Sequence, residues 1–276
     1  MAERTWIEAV SRLRAARTPG VLVTLVSVRG HAPRAAGAKL VVAAHATWGS
    51  IGGGNLEAVA IDRARELLAG PAAGSGPELM TLALSDKAPY QHGVQCCGGE
   101  VTVLLEPLPV VPAVAIFGVG HVGLELARIL ARQDVELHLI DTRPEQLAPE
   151  RLAVLADAVA NVHVHDSPVL PEIALGELPP GTHVLIMTHD HAEDYALCDA
   201  VLREGEYGSI GLIGSAAKWS RFQRRLATDG GHDEAAIARI RTPIGLGEIT
   251  GKEPATIAVS VAAHLLLAFE HSRSRT

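Results

Sequence analysis

Two cysteines stand side by side in "QCCGGE", residues 95–100, directly before the apolar run "VTVLLEPL". Adjacent cysteines seldom bridge to each other, which leaves packing, metal ligation or thiol chemistry for Cys96 and Cys97. Gly98 and Gly99 have no side chains to shield a neighbouring sulfur, and nearby N–H groups favour a thiolate. Successive residues entering a strand point to opposite sides, so one cysteine of the pair faces a cleft while the other packs inward. A second stretch, "AIFGVGHVGLELARIL", carries Gly118, Gly120 and Gly123 in the order G-x-G-x-x-G, with His121 among them. The first glycine permits a tight turn, the second lets a phosphate reach the backbone, and the third allows close helix–strand packing. Asp141 follows 18 residues after Gly123, where a carboxylate binds ribose hydroxyls. A third cluster, "THDHAED", brings His189, Asp190 and His191 together. These residues suit metal binding or proton shuttling, or else His189 or Asp190 caps the following helix and His191 is solvated. In "GSIGGGNLE", the N–H groups of Gly52, Gly53 and Gly54 form a candidate anion nest with Glu57 in the first helical turn, and Arg34 of "HAPR" offers charge to a phosphate or pterin. The alternative there is a glycine turn required only by the backbone.

The elements that must position these groups fall into two patterns separated by the proline-rich "EPLPVVP" near residue 110. Before it the pattern predicts a helix over about 4–17, strands at 21–28, 38–43 and 47–51, a helix over 54–68, and strands at 80–84 and 100–105. After it short apolar strands alternate with helices ("AVAIF", "VELHLI", "NVHVH", "THVLIM", "YGSIGLI"), the mark of βαβ units and a parallel sheet. The fold class is therefore α/β: a C-terminal Rossmann-like, doubly wound parallel sheet over residues 110–276 and a smaller N-terminal α+β domain over residues 1–109. In strand order 3-2-1-4-5-6 the first and fourth strands are neighbours, so His189, Asp190 and His191 fall beside Gly120 and His121. His163 and His165 share one strand face and read as surface or helix-packing residues. Cys198, between Leu197 and Val201 on a helix, reads as a buried small side chain.

Composition excludes several classes. Hydrophobic residues make up 48% and aromatics 3%, so Ala, Val and Leu build the core of an ordinary globular chain. A net charge of −7 with no basic run argues against nucleic-acid binding. Three cysteines without a framework point to a reducing, cytoplasmic setting, and no run of about 18 uninterrupted apolar residues or apolar leader points to a membrane. The fold permits a nicotinamide-dependent oxidoreductase, but none of Tyr90, Tyr195 and Tyr207 is followed four residues later by Lys.

Taken together, "SVRGHAPRAAGAKLVV", "TWGSIGGGNLEAVAIDRA", "QCCGGEVTVLLEP", "GLIGSAAKWSRFQRRL" and "TPIGLGEITGKEPATIAVSVAAHLL" resemble the XdhC/CoxI family of xanthine dehydrogenase accessory proteins, from about residue 20 to residue 268. The resemblance implies a chaperone rather than an enzyme. Its cargo is the molybdenum cofactor, as molybdopterin or its cytosine dinucleotide form. It assists sulfuration with a cysteine desulfurase and delivers the cofactor to a xanthine dehydrogenase-type molybdoenzyme; a homodimer is expected. By the family pattern the recurrent cysteine before Gly-Gly is Cys97, expected to meet the molybdenum, with the phosphate end of the cofactor at Gly118–Gly123. Two positions depart from the pattern: His31 stands where small hydroxyl residues are common, and Thr242 before "PIGL" offers no thiol.

Overall fold

The computed structural model describes residues 5–69, 76–84, 99–165, 171–203 and 205–275. Cys96 and Cys97 lie outside the described residues. The chain divides into two compact units, Met1–Val110 with Glu270–Thr276, and Val111–Phe269.

In the first unit, α1 (Trp6–Ala15) starts at a capping box: the Glu8 N–H donates to Thr5 Oγ1 at 3.3 Å and the Thr5 N–H donates to the Glu8 carboxylate at 3.1 Å. The strands β1 (Gly20–Arg29), β2 (Lys39–Val42), β3 (Thr47–Gly49), β4 (Glu78–Ala83) and β5 (Glu100–Leu108) form one antiparallel sheet in the order β3-β2-β1-β5-β4. The period-2 pattern of β1 sends Val21, Val23 and Leu25 to one face, where they meet Leu56, Ala60, Ala64 and Leu67 of α2 (Gly54–Ala69). Ala9 and Leu13 of α1 pack with Val41 and Ala43 in a separate cluster. A register shift between Leu25 and Ser27 leaves Val26 unpaired with β5 and half exposed, as at a β-bulge. The strand β5 runs on through Pro107, further than the expected 100–105. Pairing with β4 stops at Leu105, so this proline lies where one side of the strand is open, the setting in which a strand tolerates it.

In the second unit, β6 (Ala113–Phe117), β7 (Glu136–Ile140), β8 (Asn161–His165), β9 (His183–Ile186), β10 (Ser209–Leu212) and β11 (Ile240–Arg241) form an all-parallel sheet in the order β11-β10-β9-β6-β7-β8. That is the doubly wound order expected from the strand–helix alternation. Every residue of β6 is buried, as a central parallel strand requires. One face packs against α3 (His121–Leu130) and α8 (Pro254–Arg275), and the other against α5 (His191–Arg203) and α6 (Ala216–Thr228); α4 (Pro149–Leu152) and α7 (Glu234–Ile237) are single short turns. The two-residue β11 was not legible in the sequence, being too short to show a period.

Despite its polar interruptions, Pro254–His271 of α8 reaches a mean hydropathy of 1.3 and is long and apolar enough to cross a membrane by length and composition. The same helix seats Ala258, Val261, Ala262, Leu265 and Phe269 in the core of the second unit, which accounts for its apolar face. Cys198 is fully buried beside Leu197 and Val201, and burial pushes its thiol pKa up. His163 and His165 are both partly buried. They join His138 in a polar cluster, with the rings of His138 and His163 stacked at 4.6 Å, His138 Nδ1 2.9 Å from His165 Nε2, and Glu136 2.6 Å from His163.

Candidate functional site

Each unit brings a set of motif loops together at one end of its sheet. In the second unit the glycine turn follows β6. Gly118 has φ +102°, and any Cβ there would collide with the Met187 carbonyl at the end of β9. A Cβ on Gly123 would strike the Gly118 carbonyl. These two glycines are required by backbone packing alone. Gly120 differs: the nearest atom to a Cβ there is Arg143 Nη2 at 3.8 Å, so its face is open. As the N-cap of α3 it supplies no side-chain cap, and His121 beside it is exposed. The amides of the first turn and the positive end of the helix dipole thus meet an uncovered glycine, the arrangement that accepts a phosphate.

Asp141 was expected to bind ribose hydroxyls, and the structure gives its carboxylate other work. It is 3% exposed. One oxygen accepts from the Val119 N–H at 2.8 Å and from Arg143 Nη2 at 2.9 Å; the other accepts from Arg143 Nε at 2.9 Å and the Arg143 N–H at 3.0 Å. Burial pushes its pKa up, but the Arg143 fork and the two backbone donors outweigh this and hold it below the usual carboxylate range. Four donors leave little acceptor capacity for a ribose. Asp141 instead ties the glycine turn to the loop after β7 and fixes Arg143 over Gly120. From the short helix α4 (Pro149–Leu152), Arg151 donates through Nη2 to the Val119 carbonyl at 3.3 Å. Two guanidinium groups therefore flank the turn. The acid drew attention in the sequence; "DTRPE" already held Arg143, but nothing in the spacing marked Arg151.

The loop after β9 abuts the turn through Met187 and Thr188. His189, Asp190 and His191 are all exposed there. Asp190 accepts the Ala192 N–H at 2.6 Å through one carboxylate oxygen, the geometry of a helix cap. Among the described residues no group of three His, Cys, Asp or Glu side chains is arranged to hold a metal ion. Two further acids went unnoticed in the sequence. Glu193 accepts from Thr142 Oγ1 at 3.0 Å, with its pKa raised by burial. Asp194, fully buried, accepts the Thr188 N–H at 3.0 Å and pairs with Lys218, whose ammonium also donates to the Ile213 carbonyl at 2.9 Å.

In the first unit the expected anion nest is already filled from within. Gly52, Gly53 and Gly54 have φ of +133°, +71° and +60°. One Glu57 oxygen accepts from the Ile51 N–H at 3.0 Å, the Gly53 N–H at 3.1 Å and Ser50 Oγ at 2.6 Å, while the Gly52 N–H donates to Ser50 Oγ at 3.1 Å. Reaching back from the first turn of α2, Glu57 occupies the place an outside anion would take. Two neighbouring loops meet this region. Pro33 lies 3.1 Å from where a Gly52 Cβ would stand, and a Cβ on Gly99 would collide with the carbonyls of His31 and Arg29. Arg34 is exposed on the first of these loops. "HAPR", "SIGGG" and the residue following "CCG" are thus packed at one end of the sheet; Cys97 itself lies outside the described residues.

An antiparallel α+β unit and a doubly wound, Rossmann-like unit with an arginine-flanked glycine turn define a two-part protein. Residues 13–77 match the XdhC and CoxI family, and residues 114–265 match the XdhC Rossmann domain. The chain belongs to this family. It is 27% identical over 256 residues to the uncharacterized protein YqeB of Escherichia coli K12, a match covering 93% of this chain and 44% of YqeB. To the molybdenum cofactor insertion chaperone PaoD of the same organism it is 26% identical over 275 residues, covering 89% of this chain and 82% of PaoD. The chain thus spans less than half the length of one of these relatives and most of the other. Among solved structures, a xanthine dehydrogenase from Bacillus halodurans aligns over 98% of this chain and 96% of its own, at 21% identity and a TM-score of 0.47. An imine reductase from a Pseudomonas species aligns over 42% and 38%, at 18% identity and a TM-score of 0.28.

Proposed function

We propose that this protein is a cytoplasmic chaperone for the molybdenum cofactor. It holds the cofactor while a cysteine desulfurase sulfurates it, and hands it to a xanthine dehydrogenase-type molybdoenzyme. The observation that carries this reading is membership of the XdhC/CoxI family in both units, alongside similarity over most of both chains to a relative named as a cofactor insertion chaperone. The open face of Gly120 and the two arginines beside it suit the phosphate end of such a cargo. For the molybdenum end the reading relies on Cys97, because a thiolate suits a thiophilic metal or transferred sulfur. Carriage requires release, so binding is reversible and of moderate affinity.

The test is to purify the protein from a host that makes the cofactor and to measure bound molybdenum and pterin. Wild type should carry both and activate its recipient enzyme. Gly120→Val, which sets a branched side chain against Arg143 and the phosphate seat, should bind far less cofactor while keeping its fold. Cys97→Ser should lose molybdenum and recipient activation with little change in melting temperature. Full retention in both variants, or steady NAD reduction with small alcohols or hydroxy acids, would overturn the reading.

A further inference from the structure

The second unit contains an unusual imbalance beside its glycine turn. Among the described residues, buried side-chain atoms without a hydrogen-bond partner include Gln146 Oε1 and Arg151 Nε, both on the segment that leaves β7 and passes the turn. Buried polar atoms are nearly always satisfied, so an arginine in this condition needs an explanation. Arg151 makes a single hydrogen bond, to the Val119 carbonyl at 3.3 Å, and no ion pair with any described residue. Val119 is the residue between Gly118 and Gly120. Its N–H donates to Asp141 Oδ2 at 2.8 Å, the same oxygen that receives Arg143 Nη2. Both arginines are thus locked to one residue of the turn, Arg151 through the Val119 carbonyl and Arg143 through the carboxylate that accepts the Val119 N–H.

Their charges are not equivalent. The guanidinium of Arg143 lies forked on Asp141, which offsets much of its charge, and Glu145 and Glu193 lie within electrostatic reach. Among the described residues Arg151 has no such offset. The one carboxylate placed where a ribose diol would be read is fully engaged. An uncompensated guanidinium, a second one with N–H groups to spare, and an uncapped helix start all favour an anion at the same turn.

We infer that Arg143 and Arg151 read phosphate at this turn, with Arg151 supplying the larger share, so that the site selects its ligand by phosphate charge rather than by ribose hydroxyls. The inference rests on the reading of the turn as the seat of a phosphorylated cargo, and it names the residues and the chemistry that decide what is held there. Arginine suits this role because its planar fork donates two parallel hydrogen bonds to phosphate oxygens.

Calorimetric titrations with inorganic pyrophosphate, CDP and cytidine test it on the full chain. Pyrophosphate and CDP should bind and cytidine should not, with affinity falling as salt rises. Arg151→Met, which keeps an unbranched stem, should weaken both phosphate ligands about tenfold or more, the scale of one charge-assisted hydrogen bond. Arg151→Lys should recover part of the loss by restoring charge without the fork. Arg143→Lys, which leaves Asp141 a cationic partner, should show a smaller loss, and thermal melts confirm that each variant is folded. Cytidine binding as tightly as CDP, or folded Arg151→Met binding CDP like wild type, would overturn the inference. Molybdenum cofactor loading with no measurable binding of pyrophosphate or CDP would overturn it while sparing the chaperone reading. Arginine-dependent CDP binding in a protein that never loads the cofactor would do the opposite.

Discussion

Glu57 shows how one side chain can change the meaning of a motif. Three glycines before a helix suggest a cradle for an outside anion, yet here the carboxylate that fills the cradle comes from the helix itself. The expected consequence concerns stability. Glu57→Ala removes the acceptor of two backbone N–H groups and of the Ser50 hydroxyl, and should cost about 1–2 kcal/mol in urea unfolding. Glu57→Gln retains an amide oxygen and should cost less. An unchanged unfolding midpoint for Glu57→Ala would mean that water satisfies these donors equally well. Asp141 makes a parallel point. Its position after β7 was legible as an acid near a glycine turn, but its partners were not, because Arg143 reaches it through a local fold-back that no spacing rule encodes.

At the scale of elements, α5 and α6 are joined by the buried Asp194–Lys218 pair. Their side chains are 0% and 7% exposed, so removing either partner strands a charge in the interior. Asp194→Ala and Lys218→Met should each destabilise the protein by about 3–5 kcal/mol, since the remaining charge is uncompensated. The double variant should regain much of that loss, because no unpaired charge remains, although the Thr188 N–H and the Ile213 carbonyl lose these side-chain partners. A double-mutant cycle by chemical denaturation measures the coupling. Additive losses would show that the two groups act independently. The sequence pattern located both helices, but it could not pair Asp194 with Lys218, 24 residues further on.

For the whole molecule, the pH dependence of stability has an identifiable contributor in His183, where β9 begins. Burial, together with the nearby His264, lowers its pKa from 6.5 to about 4. The folded protein therefore keeps this imidazole neutral, while the unfolded chain binds a proton below about pH 6.5. Stability from this group is complete above the unfolded value and is lost as pH falls from 6.5 toward about 4. The expected loss between pH 7 and pH 5 is about 2 kcal/mol. His183→Gln should flatten that part of the urea-stability profile, and an unchanged slope in the variant would assign the dependence to other groups.

The sequence by itself determined the two-part architecture, the doubly wound strand order and the position of the glycine turn. Each of these follows from local periodicity or from the backbone freedom of glycine, both written directly in the residue order. It also carried the family, through motifs spread over most of the chain. Tertiary structure alone decided how the polar groups were allocated. Asp141 went to Arg143 and Val119, Glu57 to its own glycine loop, Asp190 to a helix cap, and Arg151 to a carbonyl of the turn. Hydrogen-bond partners depend on which loops meet in space, and a residue's type states only what it can donate or accept. The sequence thus named the groups capable of chemistry, and the folding of separate loops onto one another decided which of them remained available for a ligand.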